Sequence, residues 1–131
     1  MNSLYLIFLL VAAATAAITE HRITKQLTVP KGTTVELLSP DYPKIPAAGT
    51  AMTWYLTGDA GSNILLTCDD IMVGPSKLCR DGWFKVHDGS KAVKYCEKKT
   101  ELSVKSVSNE MTVQIDLVKT VGRSRCKATG V

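Results

Sequence analysis

At 131 residues, 45% of them hydrophobic and 21% charged, the chain has room for one ordinary domain and not for two. Its sixteen Lys and Arg against twelve Asp and Glu leave a formal net charge of +4, and every charged residue lies after residue 17. Beyond that point no apolar run approaches a membrane span, and recurrent Val, Ile, Leu and aromatic residues exclude a disordered tail.

In chain order, the first segment is an address. Fourteen of residues 1–17 are apolar, and Leu4 to Ala14 carries only the hydroxyl of Tyr5 as a polar side-chain atom. An apolar core of that length running into Thr15-Ala16-Ala17 reads as a secretory signal peptide, residues 1–17. Ala14 and Ala16 satisfy the small-x-small rule, so cleavage is expected after Ala16, with Ala17 as the second choice. The leading segment has no Lys or Arg, and the alternative is a buried N-terminal helix. Export implies an oxidising compartment. His21 follows in a polar segment expected to be mobile.

From there the pattern is alternation, not a helical period. Thr33 to Leu38 and Met52 to Leu56 are β-rich; Ile64, Leu66 and Cys68 share one face. Trp83 to His87 and Ala92 to Cys96 flank Asp88-Gly89, a strong hairpin signal because both turn residues tolerate positive φ. Leu102, Val104 and Ser106 share a face, as do Met111, Val113, Ile115 and Leu117. Turn formers lie between these runs at 39–43, 58–62, 74–76 and 108–109. No internal repeat or low-complexity linker interrupts them. Short strands that each bury one side imply an all-β antiparallel sandwich or barrel.

Cys68, Cys79, Cys96 and Cys126 are even in number and stand 11, 17 and 30 positions apart, a disulfide framework and not the close ligand pairs of a zinc site. Three pairings are open. A hairpin brings Cys79 to Cys96 with little strain, which leaves Cys68 for Cys126. Loop closure gives about 3 kcal/mol for the shorter bridge and about 4 for the longer.

Ser39-Pro40-Asp41-Tyr42-Pro43 resembles the Ser-Pro-x-Tyr-Pro opening of a CUB domain. Trp54, Ile64-x-Leu66, Cys79 ahead of the strand ending in Asp88-Gly89, Tyr95-Cys96, and Ser106 to Val113 resemble further signals of that family in the same order. The resemblance covers residues 33–128 and implies a jelly-roll-like sandwich of two antiparallel sheets. The chain departs from the common pattern in having no cysteine before Cys68. Cys68 in Ile-x-Leu-x-Cys and Cys126 in Arg-Cys-Lys-Ala resemble an arthropod variant, in which the central-strand cysteine pairs with one on the last strand. A lone domain with this pattern and a signal peptide is similar to the CUB-domain proteins of predatory-bug venom; similar domains also precede trypsin-like catalytic domains. Many CUB domains bind calcium through three carboxylates, and the matching positions here are Gly74, Gly82 and Val118. Asp69, Asp70 and Asp81 lie nearby, but solvated turn carboxylates are the better reading, and neither metal nor cofactor is expected.

His21 and His87 are the available neutral-pH acid–base groups. His87-Asp88 is no dyad, because neighbouring strand residues point to opposite faces. Ser90 reads as a turn serine, and no nucleophile elbow, metalloprotease helix or phosphate loop is present. The chain is not expected to be an enzyme. Lys119, Arg123, Arg125 and Lys127 gather in the last hairpin, a candidate patch for a sulfated glycan or an anionic membrane face. Lys91, Lys94, Lys98 and Lys99 gather around Cys96, interrupted by Glu97 and Glu101; for both clusters a solvated surface is the plain alternative. Trp54, Tyr55, Trp83 and Phe84 are expected in the core, nucleic acid is not an expected partner, and no Asn-x-Ser/Thr site occurs. The expected function is binding of an extracellular protein by a secreted venom-type domain. The alternatives are a carbohydrate- or heparin-binding module and a domain derived from a serine protease.

Overall fold

The computed structural model of the chain describes residues 21–46, 48–74 and 79–131, so the leader at 1–17 lies outside the described residues. These form ten strands and no helix: β1 (His21–Val29), β2 (Thr34–Leu38), β3 (Thr50–Gly58), β4 (Ile64–Val73), β5 (Trp83–His87), β6 (Ala92–Tyr95), β7 (Glu97–Lys99), β8 (Leu102–Lys105), β9 (Glu110–Asp116) and β10 (Gly122–Gly130). One sheet has the order β1-β3-β9-β5-β6; the other has β2-β10-β4, with β7 and β8 both paired to the far edge of β4. All pairs are antiparallel except β1 with β3.

Alternation decides which sides meet. Met52, Trp54 and Leu56 stand opposite Ile115, Val113 and Met111, and Phe84 and Val86 continue the same inner face on β5. Against them the second sheet sets Leu37, Ile64, Leu66, Ile71, Val73 and Ala128, all buried. Each full burial of such a side chain contributes about 1.5–3 kcal/mol, which is what holds two one-sided sheets together.

Three local outcomes differ from the sequence reading. His21 is not in a loose segment: it opens β1, whose Ile23, Leu27 and Val29 pack on the core while the strand runs in register with Thr50 to Gly58. The sandwich therefore begins upstream of residue 33. The Asp88-Gly89 hairpin exists, but its loop is the four residues 88–91, with only Gly89 at positive φ (99°). The Asp88 carboxylate shapes it by accepting hydrogen bonds from the backbone N–H of Ser90 (2.8 Å) and Lys91 (2.9 Å). Finally, Trp54 and Phe84 are core residues, whereas Trp83 and Tyr55 occupy the outward positions of their strands, Tyr55 at 46% exposure.

Candidate functional site

The outer surface of the second sheet is organised by a β-bulge. On β4, Cys68 pairs with Cys126 and Asp70 with Arg125, so Asp69 is an extra residue with no partner on β10. The slip lets Ile71 and Val73 return to the core while two consecutive carboxylates remain on the outer side. β10 alternates without a break, sending Arg123, Arg125 and Lys127 outward. Bulge and alternation together set two acids beside two arginines.

The resulting pairs are specific. Arg125 donates from Nε to Asp69 Oδ1 (2.9 Å) and from a terminal amine to Asp69 Oδ2 (2.6 Å), a two-pronged match. Arg123 Nε lies 3.0 Å from Asp70 Oδ2, and the same oxygen accepts a 2.6 Å hydrogen bond from the Tyr42 hydroxyl. The Arg125 guanidinium also lies 5.8 Å from the centre of the Tyr42 ring. The hydrogen bonds from Arg125 hold the Asp69 carboxyl below its ordinary range, and the bond to Asp70 raises the Tyr42 phenol above its own. Sequence reasoning missed Tyr42, Asp69 and Asp70 as partners. The signal available was a pair of adjacent acids in mid-strand, where the inward phase slips by one residue.

Of the four cations read as an anionic-ligand patch, β10 brings three together, and two of these are matched by carboxylates. Arg123 faces Asp70 and Arg125 faces Asp69, while Lys127 stands opposite Glu36 in the register with β2. Lys119 lies apart in the connection after β9, its backbone N–H bonded to the carbonyl of Asp81. A shallow open depression of about 600 Å³ beside the Cys68–Cys126 bridge is lined by Thr67, Asp69, Glu101, Ser103, Arg125 and Lys127. The bridge has a Cα–Cα distance of 4.0 Å; the second bridge joins Cys79 and Cys96 at 5.4 Å.

The residues do not fit a calcium ion. At the positions the resemblance assigns to ligands, Gly74 and Gly82 offer no side-chain oxygen, and Thr120 is packed against both. A Cβ added to Gly74 would meet Thr120 Oγ1 at 2.6 Å, and one added to Gly82 would meet Thr120 Cγ2 at 2.8 Å. Any carboxylate there would have to displace this threonine. Asp69 and Asp70 are engaged by arginine, and among the described residues no three metal-binding side chains converge.

His87 and Asp88 are hydrogen-bonded to the turn backbone and not to each other. The histidine Nδ1 accepts a hydrogen bond from Gly89 N–H (3.2 Å), while the aspartate is taken up by the turn. At the end of the sandwich that holds Gly74 and Gly82, separate connections are tied together. Gly49 N–H bonds to Leu117, Lys119 N–H to Asp81 and Gly74 N–H to Val121. This end carries Ile45, Val118 and Val121 at 45%, 43% and 45% exposure.

A model of the CUB domain matches residues 26–127. The "Venom CUB domain-containing protein 2" of Platymeris rhadamanthus is 30% identical over 130 residues, covering 98% of this chain and 97% of that protein. Among solved structures, the extracellular region of zebrafish Gpr126/Adgrg6 superposes with a TM-score of 0.73 at 19% identity, over 81% of this chain and 14% of that one. The rat MASP-1 CUB1-EGF-CUB2 fragment gives 0.66 at 18%, over 81% and 42%. The MASP-1 CUB2 domain bound to Ca2+ gives 0.63 at 19%, over 77% and 96%. The chain thus spans 14% and 42% of the first two of these structures, and at such identities the likeness is one of fold. With the paired sheets, two disulfides and a family match across the sandwich, the chain belongs to the CUB domain family.

Proposed function

We propose that the chain is a secreted, non-enzymatic venom-type protein that acts by docking on an extracellular protein of the prey. The observation that carries this reading is the end-to-end likeness to a venom CUB protein, which extends over 97% of that relative. The docking face is the loop-rich end bearing Ile45, Val118 and Val121. There, exposed apolar side chains sit on connections fixed to one another by backbone hydrogen bonds. Signal-peptide cleavage after Ala16 or Ala17 would release a mature chain starting just ahead of β1.

The test is capture from prey haemolymph on immobilised mature protein, run beside an I45S/V118S/V121S variant. Exposed apolar-to-serine changes leave the core untouched, so the variant is expected to fold. The reading predicts a discrete prey protein retained by the wild type and reduced at least tenfold on the variant, with no cleavage product. Equal retention by both proteins, or hydrolysis of the captured protein, would overturn it.

A further inference from the structure

The outer face of the first sheet presents a cationic row that no acid interrupts. Register places five outward side chains in line across the strands: Thr24, Thr53, Gln114, Lys85 and Lys94. The adjacent row is Gln26, Tyr55, Thr112, His87 and Ala92. Neither row holds a carboxylate; Asp116 and Glu110 lie one row further out on either side. Lys85 and Lys94 stand directly opposite each other, a like-charge placement that costs the hairpin stability. Among the described residues neither lysine is paired with an acid, in contrast to Arg123 and Arg125 on the other sheet. Lys94 is held over the Trp83 ring, 4.0 Å from its centre, which fixes the ammonium above the sheet.

From this juxtaposition we infer that the first sheet's outer face binds a sulfated polysaccharide, with Lys85 and Lys94 as the sulfate contacts. One ammonium held over a ring, with a second lysine directly opposite it in the register, suits an anionic group that engages both. The Gln, Thr and Tyr side chains beyond them supply hydrogen bonds to the hydroxyls of an extended chain lying across the strands. A row of side chains running across five paired strands matches a linear polymer, and charge complementarity requires that polymer to be anionic. A nucleic acid is less well suited, because successive bases need a series of aromatic platforms, whereas Lys94 sits over the Trp83 ring and leaves Tyr55 as the exposed aromatic of these rows. This site is separate from the protein-docking end and does not depend on it.

The probe is heparin, as an affinity column developed with a salt gradient. The folded wild type is expected to be retained at physiological salt, and K85Q/K94Q to elute in the flow-through, with the salt slope of binding reduced by roughly two counterions. R123S/R125S is expected to elute with the wild type. K85Q alone relieves the like-charge contact and is expected to unfold at no lower temperature, which separates lost binding from lost folding. Failure of the wild type to bind, unchanged elution of K85Q/K94Q, or loss of retention in R123S/R125S would overturn the inference. So would sedimentation with phosphatidylserine vesicles as strong as heparin binding and equally sensitive to K85Q/K94Q. The I45S/V118S/V121S variant is expected to keep its heparin elution, so this site and the protein-docking reading fail separately.

Discussion

Asp69 shows how one side chain can be decided by its partner and not by its sequence neighbours. Its carboxyl is exposed, yet two hydrogen bonds from Arg125 hold its titration below the usual 3.8. A group whose folded-state pKa lies below its unfolded value stabilises the fold above the unfolded value and ceases to do so as pH falls through the folded one. The wild type is therefore expected to lose thermal stability on acidification below about pH 4, and D69N to show a shallower fall. The difference amounts to a few degrees in Tm, because exposed pairs contribute little individually. Identical acid limbs for the two proteins, recorded by circular dichroism melts, would contradict this assignment. The arginines of β10 were legible as a cluster of charge. Their partners were not, because Tyr42 and Asp70 are 28 residues apart and Asp69 and Arg125 are 56 apart.

At the scale of elements, alternation made β3, β4, β9 and the β5–β6 hairpin readable, since each places a run of apolar side chains on one side. β1 was not readable for a physical reason. Its inward series is Ile23, Lys25, Leu27 and Val29, and the lysine breaks the pattern. β1 is an edge strand, and a charged residue at an inward position is a known way to discourage a further strand from pairing. The bulge in β4 was hidden by the opposite error of expecting a single phase throughout. Deleting Asp69 closes the bulge against the unbroken β10 and keeps Ile71 and Val73 inward, whereas inserting one alanine between Asp70 and Ile71 reverses the phase and turns both out of the core. Losing two burials of about 1.5–3 kcal/mol each removes much of a small domain's stability. The insertion is expected to lower the urea midpoint severely or prevent folding, whereas the Asp69 deletion and D69G, which both keep Ile71 and Val73 inward, are expected to stay near the wild type. An insertion variant with an unchanged midpoint, or an Asp69 deletion that fails to fold, would refute the account of the bulge.

Taken whole, the molecule is two sheets stapled by Cys68–Cys126 and Cys79–Cys96, with Arg123 and Arg125 matched to acids on one outer face and Lys85 set opposite Lys94 on the other. Family resemblance allowed the sandwich to be expected and put Gly74, Gly82 and Val118 at the calcium positions, but could not say what fills the space beside the two glycines. That answer required seeing Thr120 seated against Gly74 and Gly82, from a connection far away in sequence. The central claim is that this corner is closed by packing and that the fold needs no divalent ion. Calorimetric unfolding of the mature protein in millimolar calcium and in excess chelator tests it most directly. A site saturated a hundredfold above its Kd would add about 2.7 kcal/mol, roughly ten degrees or more for a domain of this size. The account predicts coincident transitions in the two buffers; a calcium-dependent rise of that order would contradict it.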